Sequence, residues 1–189
     1  MSNINYQLFD LMLNHSNSCV EYRYNGAYAG SNYAISVYYR CPNFYLQSNL
    51  MLLVQKYNLS INRHGDLIEV GYYDKKHNII KYEARTTDLD TSIILCAIEL
   101  WKQINKVKKK LTTQQRKTVE RIIDGERYHY NRFTGSFGVT EDTHNRLYTT
   151  NTIRSLIDKD ILYLDKDFNL QLTDFGKFVF EKHPINGFS

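Results

Sequence analysis

"TTNTIRSLIDKDILYLDKDFNLQLTDFGKFVF", Thr149 to Phe180, changes its hydrophobic period twice. Ile153, Leu156, Ile157 and Ile161 recur at helical spacing, which predicts a short helix with a polar outer face and Thr149 as its N-cap. "ILYLDKDFNLQLT" then alternates, as two short strands do about a turn at Asp165 to Asn169. Thr173 stands where it can cap a last helix, with Phe175, Phe178 and Val179 on the buried side.

Upstream, "LTTQQRKTVERIIDGERY" has both helix ends marked. Thr112 and Gln115 make a T-x-x-Q capping box, and Gly125 is a natural stop. Val119, Ile122 and Ile123 are expected to face a core. The connector "RYHYNRFTGSFGVTEDTHNRLY" has no helical period; its alternating aromatics, Gly135 and Gly138 suit a hairpin or a loose loop.

Helix, connector, helix, hairpin, helix is an order that resembles the winged helix-turn-helix fold over about residues 111 to 183. "TIRSLIDKDILYLDKDFNLQLTDFGKFV" carries the resemblance: a threonine-led helix ending in a lysine and an apolar turn, then an "LTDFG" junction into the last helix. The resemblance implies that Thr150 to Lys159 is the recognition helix and Asp165 to Asn169 the wing tip. Its outward set is Asn151, Thr152, Arg154, Ser155 and Asp158. In such helices these side chains meet base edges in the major groove, Arg pairing with guanine and Asn with adenine. Arg146, Arg132 and Lys177 are then candidates for phosphates. The chain departs from the family at "YHYNRFTGSFGVTEDTHN", where a second helix is expected. Asp165 and Asp167 flank the single Lys166, and a turn so charged is not expected to touch phosphate. Asp158 and Asp160 lie at the C-terminal end of the helix, where the dipole disfavours acids.

"KVKKKLTTQQRK" divides the chain near Lys108. Lys108, Lys109 and Lys110, with Lys106, read either as a solvated linker or as phosphate contacts. The first half has its own pattern. "INYQLFDLMLNH" has Leu8, Leu11 and Met12 at helical spacing, and "CVEYRY" and "YAISVYYR" alternate as strands do. "SNLMLLVQKYN" reads as a helix capped by Ser48 or Asn49. "LSINRHGDLIEVGYYDKKHNIIKYEART" reads as three strands with turns at "HGD" and "DKKHN". In "DLDTSIILCAIELWKQI", Asp88 or Asp90 can cap a helix with Ile93, Ala97, Leu100, Trp101 and Ile104 on one face, widened by Leu95 and Ile98. This order predicts an α+β sandwich. "SNLMLLVQKY" and "DTSIILCAIELW" resemble the small phage-borne domains described as ABA sandwiches, over about residues 45 to 106.

Length and charge bound the function. A chain of 189 residues holds one domain or two small ones. Net charge is +4 and pI about 8.8, below the footprint of roughly pI 9 usual for nucleic-acid domains. The excess is uneven: from Lys108 onward 14 Lys and Arg face 11 Asp and Glu, against 10 and 9 before it. Cys19, Cys41 and Cys96 are too scattered for a disulfide framework or a zinc pattern, so reduced thiols are expected. "MSNINYQLFDLML" has no basic leader, and no apolar run is long enough to span a membrane. The six histidines show no ligand spacing, and phosphate-loop and hydrolase motifs are missing. No cofactor, metal or catalytic residue is therefore expected. Tyr22 to Tyr39 is dense in tyrosine; half the rings are assigned to packing and half, Tyr28 and Tyr33 among them, to a partner surface.

The expectation is an α+β protein, a small α/β sandwich over residues 1–107 followed by a winged-helix domain over 108–189. The resemblances imply a non-enzymatic, cytoplasmic, phage-like accessory protein of regulatory type that binds double-stranded DNA. Its first half would serve a host or phage protein partner or a homodimer. The alternative is a phage anti-defence protein of the anti-CRISPR type, which docks on a host immune complex through protein contacts.

Overall fold

Alternating and helical periods are realised as a mixed α+β chain with small antiparallel sheets. The computed structural model describes residues 2–15, 42–139, 150–182 and 184–188. The chain divides into two compact units, Met1–Asn105 with Glu181–Ser189, and Lys106–Phe180. No helix among the described residues is long and apolar enough to cross a membrane.

The first unit holds helices α1 (Ser2–His15), α2 (Gln47–Lys56) and, as far as Asn105, α3 (Leu89–Lys109), and strands β1 (Leu59–His64), β2 (Leu67–Asp74) and β3 (Ile79–Thr86). The strands form one antiparallel sheet in the order β1-β2-β3. Gly65, at φ +64°, takes the first place of the two-residue β1–β2 turn, where a tight hairpin demands a positive φ. Asp74 closes the β2–β3 turn. Its carboxylate accepts the Lys76 and His77 N–H groups and meets the Lys81 ammonium and the His77 ring at 2.5 and 2.6 Å. Burial alone would raise the Asp74 pKa, but Lys81 and His77 together hold it well below the usual carboxylate range.

Leu8 and Met12 of α1 are wholly buried, Phe9 nearly so, while Leu11 is only half-buried. In α3, Ile93, Ala97, Ile98, Leu100, Trp101 and Ile104 are buried as the period predicts; Ile94 and Cys96 are buried too, and Leu95 is half-exposed. Asp88, rather than Asp90, caps this helix by accepting from the Thr91 N–H at 2.8 Å. Burial pushes the Cys96 thiol up to about 12, and its Sγ donates to the Tyr82 carbonyl at 3.1 Å. The C-terminal segment returns to α2: Lys56 Nζ pairs with Glu181 at 2.8 Å and donates to the Pro184 carbonyl at 2.7 Å.

Two expectations need correction. Neither Ser48 nor Asn49 caps α2; the N-cap is Leu46 and makes no side-chain cap. Asn49 is buried and its amide donates to the Asn43 carbonyl at 2.9 Å, so a loop claims it first. The lysine-rich joint, where the two units divide, is helical rather than extended. α3 runs through Lys109, because "INKVKK" continues its apolar period with no glycine, proline or capping residue to stop it. The strands expected at "CVEYRY" and "YAISVYYR", with Tyr28 and Tyr33, lie outside the described residues.

The second unit runs α4 (Thr113–Ile123), β4 (Tyr128–Asn131), β5 (Ser136–Val139), α5 (Thr150–Asp158), β6 (Leu162–Leu164), β7 (Leu170–Leu172) and α6 (Asp174–Val179). β4 pairs with β5 and β6 with β7, both antiparallel. The capping box is complete: Thr112 Oγ1 accepts from the Gln115 N–H, and Gln115 Oε1 from the Thr112 N–H. Gly125 ends α4 at φ +103°, with its own N–H on the Ile122 carbonyl and that of Glu126 on Arg121, a Schellman closure. Val119 is buried, but Ile122 is half-exposed and Ile123 49 % exposed, so only part of the predicted α4 face reaches the core. Thr173 caps α6 by accepting from the Gly176 N–H at 2.8 Å.

Candidate nucleic-acid interface

α5 is held by its apolar side. Ile153 and Leu156 have no exposure, and Ile157 is half-buried. Its C-terminus closes as a second Schellman turn: the Asp160 N–H bonds to the Ile157 carbonyl and the Ile161 N–H to Leu156. Asp160 occupies the left-handed position at φ +59°. Asp tolerates that region better than most side chains, so a backbone demand explains an acid where the dipole gives none. Buried Leu156 and Ile161 complete the hydrophobic side of the motif.

The polar face is narrower than the sequence suggests. Asn151, Arg154 and Asp158 are exposed, while Thr152 is half-buried. Ser155 does not point outward. Its hydroxyl accepts from Gln115 Nε2 at 3.0 Å and meets Lys159 Nζ at 2.5 Å, tying α5 to the start of α4. Helical spacing alone puts Ser155 one position beside Arg154 and cannot say that α4 passes there. Gln115, buried and shared between its own cap and Ser155, is the positioning residue that the sequence showed only as a capping residue.

The connector before α5 is a hairpin rather than a helix at its described end. Asn131 Oδ1 accepts the Phe133 and Thr134 N–H groups, the Gly135 N–H donates to the Asn131 carbonyl, and Gly135 sits at φ +65°. This hairpin joins the second one: the Tyr130 N–H donates to the Phe168 carbonyl at 2.9 Å, and His129 bridges Asn169. Arg132 lays its guanidinium over the Phe168 ring at 3.6 Å, which makes it a packing element as well as a cation. Arg154 reaches from α5 to donate to the Gly135 carbonyl at 3.2 Å. Phe133, at the hairpin tip, is 101 % exposed.

In the β6–β7 turn Asp165 has a structural task. Its Oδ1 accepts the Asp167 and Asn169 N–H groups at 2.9 Å each, and these bonds, Asn169 first, hold its carboxyl below its ordinary pKa. Lys166 and Asp167 are exposed. Of the joint lysines, Lys109 and Lys110 are exposed but Lys108 is half-buried. Burial, with the Arg116 guanidinium beside it, lowers the Lys108 pKa to about 8, and Arg116 also donates to the Lys108 carbonyl. Lys177 pairs with Asp174 at 2.9 Å. Arg146 lies outside the described residues.

The second unit also carries an open cleft of about 510 Å³, lined by Ile122, Ile123, Tyr163, Leu172, Lys177 and Phe180 among others. No protein-family model, curated protein or solved structure matches this chain.

Proposed function

We propose that Lys106–Phe180 is a DNA-binding module of winged-helix type, with α5 as the helix that reads the duplex, appended to a sandwich-like unit that serves a protein partner or self-association. The whole acts as a non-enzymatic, phage-like regulatory accessory protein. One observation carries the reading: Asn151 and Arg154 stand exposed on a helix whose opposite side, Ile153 and Leu156, is locked in a core. Such a helix can present fixed donors to base edges without disturbing its packing. Lys109 and Lys110, at the start of the unit, add exposed charge that would anchor phosphates.

The departure from the winged-helix order fits this reading. A hairpin stands in for part of the second helix, and its Gly135 carbonyl orients the Arg154 guanidinium. The β6–β7 turn is the weak part of the surface, since Asp165 and Asp167 oppose phosphate. Selection from a randomised duplex pool tests the proposal. The wild type should enrich a preferred site, and Arg154→Ala should relax one position of it; a pool that stays random would remove the reading role.

A second reading is favoured by the acids at Asp158, Asp165 and Asp167 together with the exposed Ile123. There the unit docks on a protein of a host immune complex, in anti-defence fashion. Capture of a host complex that survives nuclease treatment, and is lost on Ile123→Asp, would select it.

A further inference from the structure

Phe133 is the most exposed large apolar side chain among the described residues, and it sits on a turn built to hold it there. Asn131 Oδ1 accepts two successive backbone N–H groups, Thr134 and Ser136 share a hydroxyl bond at 2.6 Å, and Gly135 supplies the left-handed corner. The hairpin beneath is braced from both sides. Arg132, next to Phe133, stacks on Phe168, and Arg154 donates to the Gly135 carbonyl. Tyr130 packs on Phe137 at 5.0 Å inside it. A rigid turn with a projecting ring is costly in water, where exposed aromatic surface is unfavourable.

Charge says what the ring faces. The stretch Arg127 to Val139 holds Arg127, Arg132 and His129 and no acid at all. Arg154, which donates to the Gly135 carbonyl, brings a second guanidinium to the tip beside that of Arg132. A projecting aromatic ring with the Arg132 and Arg154 guanidiniums at its turn matches a nucleobase beside its phosphates.

We infer that the β4–β5 hairpin is a second contact element of the module, with Phe133 inserted as a wedge against a base step of duplex DNA. Apolar wedges of this kind enter between base steps, partly unstack them and kink the duplex toward the major groove. TpA steps yield most easily, which directs the wedge to them. The hairpin thereby takes up the role that Asp165 and Asp167 deny to the β6–β7 turn. The inference rests on the DNA-binding reading above.

The test uses the full chain and a short AT-rich duplex carrying, at a central TpA step, a fluorescent adenine analogue that brightens when unstacked. Anisotropy reports binding on the same samples, at two salt concentrations. Wild type should bind and brighten the analogue. Phe133→Ala should lose the brightening and on the order of ten-fold in affinity, with its salt dependence unchanged, and Phe133→Trp should keep both signals. The side chain makes no core contact, so folding is not at issue. Binding with a dark analogue, unchanged by Phe133→Ala, overturns the wedge while leaving DNA binding intact, and would hand Phe133 to a protein contact. No salt-dependent binding by wild type overturns the DNA reading and the wedge with it.

Discussion

Replacing Gly176 with alanine should destabilise the protein, although the intrinsic preference of a helix runs the other way. Gly176 lies inside α6, where alanine is favoured over glycine by about 1 kcal/mol. The structure opposes that gain. A Cβ built on Gly176 runs into the Ile161 carbonyl oxygen and stands 3.0 and 3.1 Å from the Ile161 C and Cα. That oxygen cannot step aside, because it accepts the Thr173 N–H at 3.0 Å and lies 3.3 Å from the Thr173 hydroxyl. Overpacking against well-packed atoms costs about 1–3 kcal/mol, and a pinned backbone oxygen belongs at the upper end. Net loss is then about 2 kcal/mol, a fall in Tm of roughly 4–8 °C for a chain of this size. Urea unfolding of the two proteins followed by far-ultraviolet circular dichroism measures it. An alanine variant as stable as wild type, or more so, would refute the close approach of α6 to the α5–β6 corner.

Four further outcomes follow from the same geometry. Asp74 has a lowered folded pKa, so its stabilisation is present above the ordinary carboxylate value of 3.8 and is lost as pH falls through the folded one. Asp74→Asn should cost about 1–3 kcal/mol near neutral pH and flatten the acid limb of a stability–pH curve; an unchanged limb would remove the Lys81–His77 network. Cys96, buried and raised to about 12, should resist alkylation at mildly alkaline pH until the chain is unfolded, as peptide mass spectrometry of the Cys96 fragment would report. Within the segment Lys106 to Lys110, limited trypsin should favour Lys110, which stands outside α3, and cleavage mainly at Lys106 would contradict a helix through Lys109. Gln115→Ala should lower stability by about 1–2 kcal/mol, through a broken cap and a lost bond to Ser155, and should weaken any duplex binding through a misplaced α5.

Local chemistry was legible in the sequence where one short signal suffices. Thr112 and Gln115, Gly125 and Thr173 mark helix ends by bonds made within a few residues, and the structure makes each of them. The three-strand run after Leu59 announced its turns through Gly65 and Asp74 to Asn78. What failed depends on distant neighbours. Ser155 looks outward on a helical wheel, but Gln115, forty positions earlier, claims its hydroxyl. Ile123 has the right period for a core but stands past the last buried turn of α4. Asn49 resembled a cap until the Asn43 carbonyl took its amide. Charge alone misread the lysine run: Lys108 is half-buried in a helix, while Lys106, Lys109 and Lys110 are exposed. The hairpin tip was invisible for another reason. Nothing in "NRFTGS" says that Phe133 projects, because exposure is a property of what surrounds a turn.

Binding of the wild-type chain and of Arg154→Ala to duplex DNA, measured at two salt concentrations, tests the central claim most directly. Wild type should bind with an affinity that falls steeply as salt rises, because phosphate contacts release counterions. Arg154→Ala should lose about 1–3 kcal/mol against the preferred site while melting within about 0.5 kcal/mol of wild type, since its bond to the Gly135 carbonyl is exposed. A wild-type protein that binds no duplex at either salt concentration, while remaining folded, would contradict the DNA-binding assignment of α5.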